Sequence, residues 1–392
     1  MPTFPALDEE PAPLSLRARL LRVGLTLLVA VAVGGAGWGV SRLAGGGGAS
    51  GTPSGRILVL TNLHALALVQ PNGLQPQTLP LPDANPLGGS VGFVAPGGGL
   101  LLTDAGDTVT LRDGRPVAHS TALYQPLSAG GQDCSQGYCQ TLTGLFETNF
   151  PFADDARSVV FSVPPATSGT GSGPAPVAPV YVVPVTGGTA RGLGTGDGYA
   201  GDPQAAAAFV AVRARGAATP IDTAIEHRVA GGATTTVVTS AQVAQALGRS
   251  GTPLTLEPHP DPTGRLLAVV ADDPTSGEVV GLVVYTRTGQ LVARAPGAPD
   301  GPPSWSPSGR QLLVSTPSGA QLWTPGQAAT PIAAPASAGL LQFCVWSPDE
   351  RQALCQAYSG QGQSTSGWVL FDLAARSARS YASPGVPLYW VG

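Results

Sequence analysis

A chain of 392 residues with 54 Gly and 39 Pro but only 11% charged side chains is heavily punctuated by turns, while a hydrophobic fraction of 43% leaves ample material for a core. All 20 basic residues are arginine, which excludes a phosphate-binding loop of the G-x-x-x-x-G-K-[ST] type and any lysine Schiff base. The net charge of -4 is spread without a basic run, so no nucleic-acid partner is expected.

The chain opens with a short tail, residues 1–19, followed by an apolar segment over 20–43. Between Arg22 and Arg42 no residue is charged, and about 19 residues at about 1.5 Å rise just cross a hydrocarbon core. Arg17, Arg19 and Arg22 precede the span and Arg42 alone follows it closely. The positive-inside bias therefore predicts a single-pass helix with the N-terminus in the cytoplasm and the bulk of the chain outside. A cleaved signal peptide is the competing reading, but its apolar core would be shorter, about 7–15 residues. A lipoprotein is excluded because no cysteine precedes Cys134. Residues 44–55 form a Gly/Ser-rich tether, and the folded domain is expected over 56–392.

From Arg56 onward the elements are short and β-rich: RILVLT, ALALVQ, GLLLT, SVVFSV, VYVVPV, AFVAV, LLAVVA, VVGLVVYT and QLLVST, with Ser240 to Leu247 the one helical candidate. Seven segments share one shape, a Pro/Asp/Gly-rich turn and often an Arg before an apolar strand. Their markers are Arg56, Gly98, Arg157, Gln204, Arg265, Arg310 and Arg351, and the successive spacings are 42, 59, 47, 61, 45 and 41 residues. That period fits four-stranded propeller blades with two insertions. The expected fold is an all-β propeller of seven blades, with six as the alternative if the Gln204 unit is an insertion. An irregular sandwich or two smaller β domains is the bland reading. The chain starts at Arg56 in what reads as a second strand and ends in VPLYWVG, which reads as a first strand. Pairing of Leu388 to Val391 beside Arg56 to Thr61 would close the ring.

Ser304-Trp305-Ser306-Pro307-Ser308-Gly309-Arg310 and Val345-Trp346-Ser347-Pro348-Asp349-Glu350-Arg351 resemble the W-S-P-D-G-R turn of the WD40-like, TolB-type propeller repeat. Ser308 stands where the family has Asp and Glu350 where it has Gly. Pro307 and Pro348 fix a turn dihedral, Asp349 caps its turn, and Gly309 tolerates positive φ. The residues Trp305, Pro307, Gly309, Arg310, Trp346, Pro348, Asp349 and Arg351 are thus expected to be structural, with both tryptophans packed between blades.

Cys134, Cys139, Cys344 and Cys355 all fall in the exported part, where an oxidising compartment would pair them. Three connectivities are open. Cys344 and Cys355 flank the turn at Ser347-Pro348-Asp349 and would face each other on a hairpin, leaving Cys134 and Cys139 to close a small loop.

Chemistry is sparse. Gly88-Gly89-Ser90-Val91-Gly92 matches G-x-S-x-G, but a short strand follows the serine where a nucleophile elbow needs a helix. His64, His119, His227 and His259 are scattered, and Asp154-Asp155 and Asp272-Asp273 read as turn residues. No catalytic, cofactor-binding or metal motif is present in the sequence. The resemblance implies a protein-interaction or scaffolding module in the cell envelope, with an envelope protein or peptide as partner and the membrane engaged through the N-terminal helix. The alternatives are a propeller enzyme (lactonase, lyase or glycan hydrolase) or a ligand sensor using the central channel.

Overall fold

The computed structural model describes residues 55–61, 65–83, 87–88, 92–104, 106–123, 150–162, 178–213, 223–317, 319–335, 340–358 and 365–392. The tail over 1–19, the apolar span over 20–43 and the tether up to residue 54 lie outside them, as do His64, Ser90, Cys134 and Cys139. Among the described residues no helix is long and apolar enough to cross a membrane.

The described strands form seven four-stranded antiparallel sheets. Blade 1 joins β1 (Arg56–Thr61), β2 (Leu66–Val69) and β3 (Gln77–Leu79) to the last strand of the chain, β28 (Gly385–Val391). Blade 2 holds β4 (Gly92–Val94) to β7 (Arg115–Ser120), and blade 3 holds β8 (Phe152–Ala153) to β11 (Arg191–Gly196). Blade 4 runs from β12 (Gly198–Gly201) through β13 (Ala207–Arg213) and β14 (Thr223–Val229) to β15 (Thr234–Thr239). Blade 5 contains β16 (Thr255–Pro260), β17 (Leu266–Asp272), β18 (Val279–Thr286) and β19 (Leu291–Arg294). Blade 6 contains β20 (Ser304–Trp305), β21 (Leu312–Thr316), β22 (Gly319–Trp323) and β23 (Thr330–Ala333). Blade 7 contains β24 (Leu340–Trp346), β25 (Gln352–Tyr358), β26 (Thr365–Asp372) and β27 (Ser377–Tyr381). The Gln204 unit is a full blade, so the six-blade alternative and the sandwich reading both fall.

Ring closure follows the expected pattern. Strand β28 pairs with β1 from Arg56 opposite Val391 to Thr61 opposite Gly385, with one register shift between Leu58 and Val59. All strands of the ring and its closure therefore lie between Gly55 and Gly392, and that stretch carries its own core.

Seven separate apolar clusters fill the seven gaps between neighbouring blades. Alternate residues of one strand serve different gaps: Leu58 and Leu60 pack toward blade 2, whereas Ile57 and Val59 pack toward blade 7. Burial on both faces explains why the second strands read as nearly continuous apolar runs. Trp305 joins the cluster between blades 5 and 6 and Trp346 the one between blades 6 and 7. Each indole N–H reaches back one blade, Trp305 Nε1 donating to the His259 carbonyl at 2.9 Å and Trp346 Nε1 to Ser304 Oγ at 3.0 Å.

Helix α1 (Ser240–Ala246) sits in the connection from blade 4 to blade 5 and accounts for part of the longest repeat spacing. Thr239 caps it, with Gln242 completing the reciprocal capping box. Val243 and Ala244 bury its inner side in the cluster between those two blades.

Candidate functional site: two unlike faces of the ring

Strand direction decides which residues share a face. In every blade the turns after the first and third strands lie at one end of the ring, called here the turn face. The turns after the second strand and the blade-to-blade connections lie at the other, the loop face.

The turn face is built by the repeat itself. All seven markers fall between a blade's first and second strands or at the start of the second. In four of these turns the residue before the proline is the anchor: Asp202, Asp261, Ser306 and Ser347 are all at most 4% exposed. Ser347 Oγ accepts the Gln352 N–H at 2.9 Å, and Ser306 Oγ accepts the Gln311 N–H at 3.3 Å. Asp261 accepts from the Thr263 and Leu266 amides in the same way. Neighbouring turns interlock. A side chain on Gly309, at φ 69°, would meet Asp261 Oδ2 at 2.2 Å. Glu350 takes up the left-handed conformation at φ 56°, and its carboxylate accepts the Ser308 N–H at 2.6 Å and the Ser308 hydroxyl at 3.0 Å. The two departures from the family motif thus touch each other. Buried Asp202 likewise binds His227 Nε2 at 2.8 Å and the Arg287 guanidinium from the next blade.

Because the anchor acids are buried, arginine dominates the exposed surface of this face. Arg157, Arg265, Arg310 and Arg351 project from first-to-second-strand turns, and Arg112, Arg115, Arg191 and Arg376 from third-to-fourth-strand turns. All eight are exposed, whereas the exposed carboxylates there are Asp113, Asp155 and Asp349. Ser347 and the Arg351 amide hold the Asp349 carboxyl below the usual range.

The loop face has the opposite character. Asp83, Asp104, Asp107, Asp197, Asp272, Asp273, Glu278 and Asp300 come from its turns and connections. Of these Asp83, Glu278 and Asp300 are exposed, whereas Asp104 and Asp107 are buried. Its described arginines are Arg213, held by Asp197 at 3.0 Å, Arg249 and Arg294, which donates to the Ala246 carbonyl. Burial pushes the Asp300 carboxyl up, while the Thr275 and Ser276 amides hold Asp273 down. At its rim lies a relay that the sequence did not disclose. His119 Nδ1 lies 2.8 Å from Asp83 Oδ2 and its Nε2 2.9 Å from Asp107 Oδ1, with the ring side chain 2% exposed. Asp107 is held in turn by the Thr103 hydroxyl at 3.2 Å and the Gly88 N–H at 2.8 Å. A carboxylate on each ring nitrogen favours the doubly protonated imidazole, in which both nitrogens donate. Burial alone would favour neutral His119, but the bonds to Asp107 and Asp83 outweigh it and raise its pKa.

Within the innermost strands β28, β4, β8, β12, β16, β20 and β24, Glu257 is the one carboxylate. His259 lies 3.5 Å from it, and burial lowers the pKa of that imidazole. Burial also raises the Tyr285 phenol to about 12. The three described histidines therefore sit in three different blades and do not converge. Asp154 and Asp155 lie in a blade 3 turn whose amides donate to the Asp202, Ala205 and Pro203 carbonyls of blade 4, whereas Asp272 and Asp273 lie on the loop face. Among the described residues no group of three His, Cys, Asp or Glu side chains is placed to hold a metal ion.

Cys344 and Cys355 form a disulfide across β24 and β25, their Cα atoms 4.0 Å apart. A register shift between Gln342 and Val345 sets Phe343 and Cys344 together against Cys355. Phe343 takes the left-handed conformation at φ 48° there.

No family model and no curated protein matches the sequence. Solved structures do match. TolB from Acinetobacter baumannii is 11% identical with a TM-score of 0.40, the match covering 87% of this chain and 67% of that one. The C-terminal WD40 domain of Sif2 is 10% identical with a TM-score of 0.47, covering 84% and 83%. A periplasmic gluconolactonase from Pseudomonas aeruginosa is 17% identical with a TM-score of 0.36, covering 59% and 69%. This chain is a seven-bladed β-propeller similar to TolB and WD40 domains. The likeness is one of fold, and the assignment rests on the seven sheets of the propeller and their closure.

Proposed function

We propose that this propeller is an interaction or scaffolding module of the cell envelope, held at the outer side of the cytoplasmic membrane by the helix predicted over residues 20–43. The observation that carries the reading is the loop face, where the exposed carboxylates Asp83, Glu278 and Asp300 and the half-buried Asp197, Asp272 and Asp273 are displayed by turns and connections around the ring. Such a surface steers and selects a partner of opposite charge, here an envelope protein or peptide with a basic segment. The Cys344–Cys355 bridge supports an exported domain, because disulfides persist in oxidising compartments. The uncharged run between Arg22 and Arg42 supports the anchor.

Crosslinking in intact cells tests this reading, comparing the full chain with variants neutralised at Asp273, Glu278 and Asp300. A discrete partner captured by the full chain and weakened in the neutralised variants is the expected outcome. Capture that ignores those substitutions would remove the loop face from the argument. Fractionation of the full chain into a salt-extractable or soluble pool would remove the anchor.

A further inference from the structure

The arginine-rich turn face is the second surface the fold creates, and the loop-face reading does not use it. Strand β1 runs from the turn face toward the loop face, so the chain enters the propeller at Gly55 and Arg56 on the arginine side. The tether over 44–55 is 12 residues long, about 40 Å at full extension and about 20 Å on average for a flexible Gly-rich chain. Turning the loop face toward the bilayer would consume most of that reach, because the tether would have to climb the height of a blade. Blade strands here run to seven or eight residues, about 25 Å at about 3.3 Å per residue.

From these two facts we infer that the turn face is a docking surface for the anionic lipid headgroups of the membrane in which the chain is anchored, with the loop face consequently directed outward. This rests on the anchor reading for its geometry, while the charge pattern is a property of the folded domain. The surface suits a bilayer in chemistry and distribution. Its eight exposed arginines come from blades 2, 3, 5, 6 and 7, so they spread around the ring instead of forming one pocket. Arginine donates in a planar fork that matches phosphate oxygens. Of the acids of the same face, Asp202 and Asp261 are at most 1% exposed, and the eight arginines outnumber the exposed Asp113, Asp155 and Asp349.

The test uses the domain from Gly55 to Gly392, which contains the whole closed ring, and co-sedimentation with vesicles of phosphatidylglycerol and phosphatidylcholine against vesicles of phosphatidylcholine alone. Binding to the anionic vesicles that weakens with added salt is expected, with about a fivefold loss for each arginine removed from the interface. Replacing Arg157, Arg265, Arg310 and Arg351 with Gln should lower partition on the order of a hundredfold or more. The set Arg112, Arg115, Arg191 and Arg376 is a second, independent variant should the first fail to fold. The loop-face variant D273N/E278Q/D300N should bind at least as well as the parent. Equal partition to both vesicle types, no binding at low salt, or binding to a soluble polyanion without binding to vesicles would each overturn the inference. The domain lacks residues 20–43, so those failures would leave the anchor reading standing, and loss of the full chain from the membrane fraction would strike the anchor alone.

Discussion

Glu350 and Ser308 depart from the repeat motif in adjacent blades, and their contact makes a joint prediction possible. Glu350 occupies a left-handed position at φ 56°, which costs a non-glycine residue about 1–2 kcal/mol. Its carboxylate offsets this through two bonds to Ser308 at 2.6 and 3.0 Å. Hydrogen bonds to a charged group contribute about 1.5 kcal/mol each at the lower end, suited to a partly exposed site. E350G should therefore lose about 3 kcal/mol of bonding and recover about 1–2 of backbone strain, a net loss of about 1–2 kcal/mol. S308D sets a second carboxylate against Glu350 and should also cost about 1–2 kcal/mol. The double variant restores the family pair, Asp in one turn and Gly in the next, and should return to within about 0.5 kcal/mol of the parent. The expected coupling is then about 2–4 kcal/mol, well above the roughly 0.3–0.5 kcal/mol within which independent sites add. Urea unfolding of the domain from Gly55 to Gly392 measures all four corners of the cycle. Additive losses would show that the two turns do not communicate, and the account of the departures would be wrong.

Three further outcomes follow from the structure. The pKa of His119 is raised by its two carboxylates, so its contribution to stability is complete below the unfolded value of about 6.5 and disappears as pH rises through the folded value; the urea midpoint should fall above neutrality in the parent, and H119Q should flatten that slope. Eliminating the Cys344–Cys355 bridge, which closes an 11-residue separation, with C344A/C355A should lower unfolding free energy by about 3 kcal/mol, and an unchanged denaturation midpoint would refute it. Truncation after Pro384 removes β28 and bares the paired edge of β1; size-exclusion chromatography should show association through that open edge, and a monomer of unaltered stability would contradict the ring-closing role.

The repeat was legible because it is written in turn chemistry. Every marker from Arg56 to Arg351 falls at the same place in its blade, including Gln204, whose unit keeps the buried Asp202 and the proline after it while losing the arginine. The disulfide at Cys344 and Cys355 could be anticipated because both lie on one hairpin. The side-chain networks could not, because their members are far apart in the chain: His119 meets Asp83 across 36 residues, and Arg287 meets Asp202 across 85. The first is set by the path of a connection into its blade and the second by the stacking of one blade on the next, neither of which a strand pattern encodes.

The polarity of the ring lies between these cases. No run of the sequence is basic, yet the sequence holds what is needed to find the charge separation once strand direction is considered. An arginine that precedes or opens the second strand, as in five of the seven repeats, is by antiparallel alternation always at the same end of the ring. The anchor residues beside it, Asp202, Asp261, Ser306 and Ser347, are drawn inward to bind backbone amides, so whatever negative charge they carry is removed from the surface by the same turn that displays the positive charge. The motif that closes each blade therefore also charges one face of the propeller. Substituting the arginines alone should alter that face while leaving the turns intact, because the amides are held by the anchor residues and not by the guanidinium groups.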